Sequence, residues 1–359
     1  MLMSPNNLLP YSVLFAVTFG LTFLIYRYAK LLHLVAIADE RSSHEGNVAT
    51  GGGLAIVISF LVATWIGFYS HLISLELFIA LIGGGAILAI IGLWDDVKFL
   101  PIRFRIAAHT LAALWAIYWL DGLPTIMLGN WQLSLGHLSP VITFLAMVWL
   151  INLYNFMDGI DGLAGAQAIT IAVSVTFIGA LSYQFCQVWL YAALAAVTTG
   201  FLYWNWPSAR IFMGDVGSGF LGYVFAVLAL KSSQEYPPSF WVFTILFGVF
   251  LVDSTLTLLR RIVMGEPFYQ PHRTHSYQIL AQYWQSHRKV TLLVIGINLF
   301  WLWPLAFLAN SYPRLAFQIT LIALLPILIG CVYLQISREA VIASAGCARQ
   351  SSKETKYFY

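Results

Sequence analysis

Charge is scarce in this chain. Only 9% of its 359 residues are Asp, Glu, Lys or Arg, against about 25% in ordinary soluble domains, which excludes a water-soluble globular fold. Cys186, Cys331 and Cys347 are too few and too scattered for a disulfide frame or a thiolate metal site, and read as small apolar packers. No Lys or Arg precedes Arg27, so the first apolar segment lacks the basic start of a secretory signal and reads as a retained helix. The short alternating segments that build membrane β-barrels are missing too. No soluble domain interrupts the chain, and at a net charge of +3 no nucleic-acid partner is expected.

What is present is apolar. Hydrophobic residues make up 60% of the chain, in runs close to the roughly 20 residues that cross a bilayer. The predicted fold is an all-α polytopic membrane protein with about eleven transmembrane helices, at 9–29, 51–71, 77–94, 104–120, 139–156, 163–181, 187–204, 216–231, 239–259, 291–310 and 315–336. With the N-terminus outside, 16 of the 18 Lys and Arg residues fall on the cytoplasmic side, leaving only Lys231 and Arg314 on the other. Positive charge marks the cytoplasmic face, which selects this orientation. A single domain over 1–336 follows, with loops at 30–50, 95–103, 155–165, 205–217 and 260–290 facing the cytoplasm. The polar tail over 337–359 reads as disordered.

Every acidic motif then lies on that one face. Asp95 and Asp96 close the third span in Asp-Asp-Val-Lys. Adjacent carboxylates stay charged more easily beside a cation, which Lys98, Arg103, Arg105 or a metal can supply. Carboxylates at a helix C-terminus also work against the macrodipole, which favours a functional over an incidental pair.

Asn155-Phe-Met-Asp158-Gly-Ile-Asp161-Gly162-Leu163 closes the fifth span. Its glycines break the helix into a tight turn, and broken backbone there needs protein or a water-filled cavity around it. Amide and carboxylate groups in such a turn can bind a nucleobase, ribose hydroxyls or a metal; a polar clamp between helices is the structural alternative. Phe212-Met-Gly214-Asp215-Val-Gly217-Ser218 opens the eighth span. Asp215 could simply cap that helix. A helix start also favours anions, and a carboxylate beside a phosphate is best explained by a bridging Mg²⁺. Gly-Ser-Gly-Phe-Leu-Gly at 217–222 matches a dinucleotide fingerprint, but no strand precedes it and the match is discarded.

The last long loop holds Arg260, Arg261, and then His272-Arg273-Thr274-His275. Arg and His can hold a diphosphate as its charge shifts. Asp253, inside the ninth span, is either functional or a helix partner. Arg41, Ser42, Ser43, His44 and Gly51 to Gly53 form the first loop, where glycines admit a ligand or close packing. His33, His71, His109, His137 and His287 have no partner in sequence and read as incidental.

These four motifs, in this order, resemble the polyprenyl-phosphate N-acetylhexosamine-1-phosphate transferases, glycosyltransferase family 4, over nearly the whole membrane domain. The resemblance implies transfer of a sugar-1-phosphate from a UDP-N-acetylhexosamine to undecaprenyl phosphate at the inner membrane, releasing UMP. It implies Asp215 as the Mg²⁺ ligand, with Mn²⁺ as a substitute. Asp95 and Asp96 match the acids that handle the lipid phosphate, as base or as positioners. Asn155, Asp158 and Asp161 match the nucleotide pocket, with Gly162 and Leu163 alongside, and Phe212 matches the aromatic that stacks on uracil. His272, Arg273 and His275 match the loop that holds the diphosphate or sugar, and Lys98 the lysine of its motif. His-Arg-x-His, with Arg-Ser-Ser-His in the first loop, is similar to the O-antigen-initiating subgroup, which uses UDP-GlcNAc or UDP-N-acetyl-fucosamine/quinovosamine type donors. Ala49 and Thr50 stand where the family usually has Pro and a basic residue. A homodimer is also consistent with the family.

A secondary transporter is the rival reading, since broken helices and intramembrane acids suit it as well. Two features oppose it: the acids gather at one surface rather than the midplane, and no inverted repeat of motifs is visible. A scaffold protein is the third reading, and it would tolerate loss of Asp95, Asp158 and Asp215 together.

Overall fold

The computed structural model describes residues 8–36, 48–182, 187–236, 239–266 and 273–354, with side chains in the last stretch to Ser337. Arg41, Ser42, Ser43, His44, Cys186 and His272 lie outside the described residues. The helices are α1 (Leu9–Tyr28), α2 (Gly53–Tyr69), α3 (Leu75–Val97), α4 (Ile102–Leu120), α5 (Ser139–Phe156), α6 (Leu163–Ser182) and α7 (Val188–Asn205). Then follow α8 (Asp215–Glu235), α9 (Ser239–Leu246), α10 (Gly248–Val263), α11 (Ser276–Trp284), α12 (His287–Ile297), α13 (Trp303–Ser311) and α14 (Ala316–Glu354). Two antiparallel strand pairs complete the chain. β1 (Val35–Ala36) pairs with β2 (Val48–Ala49), and β3 (Ile126–Leu128) with β4 (Trp131–Leu133).

Each of the eleven predicted spans falls on a helix or a helix pair. Among the described residues, seven helices are long and apolar enough to cross a membrane, or eight if the bent pair α9 and α10 counts as one. The chain is thus an all-α polytopic membrane protein, with seven or eight helices of crossing length among the described residues against the eleven spans expected. The ninth predicted span is corrected: it bends by 71° between α9 and α10. The stretch 260–290, expected as a loop, contains α11. The helix α14 runs on to Glu354, past residue 337 where the polar tail was expected to begin.

Local chemistry sets several helix starts. Ser74 Oγ accepts the Leu77 N–H at 3.3 Å to open α3, and Ser286 Oγ accepts the Lys289 N–H at 3.3 Å to open α12. Central to the bundle is α8, with 16 of its 21 residues buried, as expected for a helix enclosed on all sides. It packs on α2, α3 and α5. Small residues allow that approach: a Cβ on Gly92 of α3 would lie 2.6 Å from the Val216 Cα. Two of the fingerprint-like glycines of α8 serve the same close packing: a Cβ on Gly217 would lie 2.7 Å from the Gly53 Cα of α2, and one on Gly222 2.9 Å from the Ile151 Cα of α5.

This packing brings the C-terminal ends of α3 and α5 against the N-terminal end of α8. The segment before α8 is held by backbone pairing: Phe212 N–H donates to Ala49 O at 2.8 Å, and Gly52 N–H to Phe212 O at 2.9 Å.

Candidate active site

The acidic pair of α3 separates into two tasks. Asp95 is buried; its Oδ1 accepts the Leu100 N–H at 2.6 Å and its Oδ2 meets Arg105 Nη1 at 3.0 Å. Asp96 instead accepts the N–H groups of Asp215 at 2.9 Å and Val216 at 3.2 Å. It therefore supplies the cap of α8, satisfying helix-start donors that have no partner within the helix. This corrects the sequence alternative in which Asp215 caps its own helix. Gly214, at φ +76°, makes the turn in; a Cβ there would collide with the Asp96 carboxylate.

Asp215 is left free to face the site. Its Oδ1 accepts Asn155 Nδ2 at 2.8 Å and its Oδ2 meets Arg105 Nη1 at 3.0 Å. Asn155 Nδ2 also reaches Ser218 Oγ at 3.0 Å. Arg105 thus joins Asp95 to Asp215, while Lys98 is exposed and lines neither cavity described below.

The turn between α5 and α6 carries the other two acids. Asp161 Oδ2 accepts the Ala209 N–H at 3.1 Å and lies 3.3 Å from His287 Nδ1. Gly162, at φ +76°, donates its N–H to Asn205 Oδ1 at 3.0 Å, and Leu163 is fully buried as α6 begins. These two hold the turn from behind rather than line the cavity. Asp158 does line it. Burial first, and then the charges of Asp215, Asp96 and Asp161, hold its carboxyl well above the usual carboxylate range.

The last loop is anchored by Asp253, which accepts the N–H groups of Ser276 at 2.8 Å and Tyr277 at 3.0 Å. Asp253 is thereby the cap of α11, the structural one of its two readings. His275 is buried, with Nδ1 3.7 Å from Asp253 Oδ1. Tyr277 donates its hydroxyl to Phe156 O at 2.9 Å, pinning this loop to the end of α5. Arg273 lines neither cavity described below.

Two cavities meet at this point. The first, about 860 Å³, is lined by Asp95, Asp96, Asn155, Asp158, Asp161, Phe212 and Asp215, together with Lys30, His33, Arg105, Asn205 and His287. The second, about 690 Å³, is largely apolar: Leu88, Ile91, Ile106, Leu145, Val148, Trp149, Phe156 and Leu258 line it, with His109, Asn152 and His275. Arg105, Asn155 and Asp215 belong to both.

Seven of the thirteen residues singled out from sequence therefore share one cavity, and His275 lies on the adjoining groove. Sequence reasoning passed over His287, His33 and Asn205, and gave Arg105 only as one of several nearby cations. Ser286-His287-Arg288-Lys289 at a helix start was the available signal for His287; the contact itself spans 126 residues.

Among the described residues, no three His, Cys, Asp or Glu side chains close into a ready-made metal cage. Mg²⁺ does not require one, since it is usually held by one or two carboxylates plus substrate phosphates and waters. The carboxylates of Asp215 and Asp158, oxygen donors that line one cavity, fit that mode.

Fold and site together define a multi-pass membrane protein with a carboxylate-lined chamber at one end of its bundle. Residues 78–233, from α3 through α8, match the family described as glycosyl transferase family 4. The chain is 30% identical over 308 residues to the decaprenyl-phosphate N-acetylglucosaminephosphotransferase of Mycolicibacterium smegmatis, covering 74% of each chain. It is 26% identical over 288 residues to the undecaprenyl-phosphate alpha-N-acetylglucosaminyl 1-phosphate transferase of Escherichia coli, covering 76% of each. The enzyme of the same description from Thermotoga maritima is 25% identical over 278 residues, covering 77% of this chain and 83% of the relative. The chain belongs to the polyprenyl-phosphate N-acetylhexosamine-1-phosphate transferase family.

Proposed function

We propose that this protein transfers a sugar-1-phosphate from a UDP-N-acetylhexosamine to undecaprenyl phosphate at the cytoplasmic face of a bacterial inner membrane. UMP is released, and the product is a lipid-diphosphate-linked sugar that starts O-antigen or another cell-envelope polysaccharide. The observation that carries this reading is the junction of the two cavities. A chamber lined by carboxylates, suited to a nucleotide diphosphate with its cation, adjoins an apolar groove suited to a prenyl tail, and Arg105, Asn155 and Asp215 line both. The substrates require such a junction, because one arrives from water and the other stays in the bilayer. Eleven crossings with the N-terminus outside would put the chamber on the cytoplasmic side.

A lipid phosphate oxygen attacks the sugar-linked phosphorus; the bond to the bridging oxygen breaks, and the electron pair leaves on UMP. Both oxygens of Asp95 and both of Asp96 are engaged by donors. The lipid phosphate, with a second pKa of about 6, is already ionised at neutral pH. Direct attack without a protein base suits both facts. Asp95 and Asp96 then act by position: one fixes Arg105, the other fixes the start of α8 that presents Asp215. Mg²⁺ held by Asp215, with Asp158 beside it, would neutralise charge on the diphosphate. Phe212 would stack on the base, and Asn155 and Asp161, which line the same chamber, would meet ribose or uracil.

UMP release is the test, using detergent-purified protein with undecaprenyl phosphate, Mg²⁺ and a panel of UDP-sugars, and Asp215→Asn as control. Release that depends on lipid, metal and one or two donors is expected. No release with any donor, from folded protein that still binds a UDP-sugar, would overturn the reading and bring transport forward.

A further inference from the structure

Arg105 sits where two functions overlap. Of the three residues that line both the polar chamber and the apolar groove, it is the one cation. A single nitrogen, Nη1, meets Asp95 Oδ2 and Asp215 Oδ2 at 3.0 Å each. The two halves of this bridge differ. The Asp95 side chain is 7% exposed and is fixed through its other oxygen by the Leu100 N–H, whereas the Asp215 side chain is 30% exposed. Each Asp215 oxygen has one donor, Asn155 on Oδ1 and Arg105 on Oδ2, so a cation bound at Oδ2 would meet the Arg105 guanidinium there.

We infer that Arg105 exchanges partners during substrate loading. It keeps Asp95, gives up Asp215 Oδ2 to a divalent cation, and turns the freed guanidinium to the phosphate of the acceptor lipid at the head of the groove. This rests on the transferase reading above. The exchange follows from charge. A guanidinium and a divalent cation compete for one carboxylate oxygen, and a guanidinium that keeps Asp95 but loses Asp215 has donors free for a second anion beside the groove. Phosphate suits its planar fork of donors. The consequence is coupling: cation and lipid phosphate each promote binding of the other, by the same factor in both directions.

The experiment measures Mn²⁺ binding by the fall of the free-ion resonance signal, with and without citronellyl phosphate, a short isoprenyl phosphate. It uses wild-type protein and Arg105→Gln, which keeps a long polar side chain but no charge. In the wild type the isoprenyl phosphate is expected to tighten Mn²⁺ binding about tenfold, within the range usual for coupled sites, and Mn²⁺ to tighten the phosphate equally. In Arg105→Gln, Mn²⁺ alone is expected to bind at least as tightly as in the wild type, and the coupling to vanish. Absence of coupling in the wild type overturns the exchange, even if the variant fails to fold. Undiminished coupling in Arg105→Gln also overturns it, because the cation and phosphate would then attract each other directly. UMP release by the same wild-type preparation keeps the two questions apart: release without coupling removes the exchange alone, whereas no release with any donor removes the transferase reading.

Discussion

Asp96, in the last turn of α3, caps α8 by accepting the N–H groups of both Asp215 and Val216. One acid of the Asp-Asp pair thereby sets the position of another acid 119 residues away. Asp96→Ala is expected to lower stability by about 1–2 kcal/mol, the loss typical of an N-cap. Asp96→Asn is expected to cost less, since its amide oxygen keeps one acceptor. Thermal unfolding in detergent checks this, and a wild-type melting temperature in Asp96→Ala would show that the cap does not matter.

The turn holding Asp158 is fitted against the last loop through Gly159. A Cβ at that position would run into the Tyr277 hydroxyl, which itself donates to Phe156 O at 2.9 Å. Gly159→Ala is expected to destabilise the protein and weaken donor binding. In a Tyr277→Phe background the added methyl loses its hardest neighbour. The two substitutions are then expected to be non-additive by about 1 kcal/mol, as residues in contact usually are. Strict additivity in unfolding measurements would mean that the two sites relax independently.

Asp158 gives the stability a pH dependence of known sign. Burial and neighbouring carboxylates raise its folded carboxyl well above the usual range. Between the unfolded value, about 4, and that raised value, the folded protein holds a proton the unfolded chain has lost. Stability from this group is therefore present at low pH and falls as pH rises through the window. Asp158→Asn, which cannot ionise, is expected to flatten the slope and melt higher at neutral pH in the absence of cation and nucleotide. Melting temperatures measured across that window decide the matter, and parallel curves for the two proteins would count against it.

What the sequence revealed was local. The motifs could be placed at helix ends because each helix is a long apolar run and each motif a short polar break beside it. Gly162 could be read as a turn former because positive φ favours glycine, and it adopts it. The contacts that make the site were hidden because they join distant segments. Arg105 reaches Asp215 over 110 residues, and His287 meets Asp161 over 126. No periodicity in either stretch encodes the partner. The bend between α9 and α10 escaped for a different reason: Ser239–Leu246 and Gly248–Val263 together form one hydropathic run, and hydropathy carries no direction.

That bend is held by a buried amide. Gln167 Nε2 donates to Leu246 O at 3.0 Å, next to the break, while its Oε1 accepts Asn298 Nδ2 at 2.6 Å. Asn298 opens a π-helical turn, Asn298–Leu302, and also donates to Thr170 Oγ1 at 2.9 Å. One side chain on α6 thus ties a broken helix to a widened one, inside a bundle where freed carbonyls have no water to turn to. Gln167→Leu removes both bonds, so it is expected to destabilise the protein by about 1–2 kcal/mol, near the upper end for polar contacts between membrane helices. Asn298→Leu made in that background should cost less than in the wild type, because its main partner has already gone. Unfolding free energies for the four proteins test this. Equal costs of Asn298→Leu in both backgrounds would mean that the amides contribute separately, and Asn298 would then have no hold on the bend through Gln167.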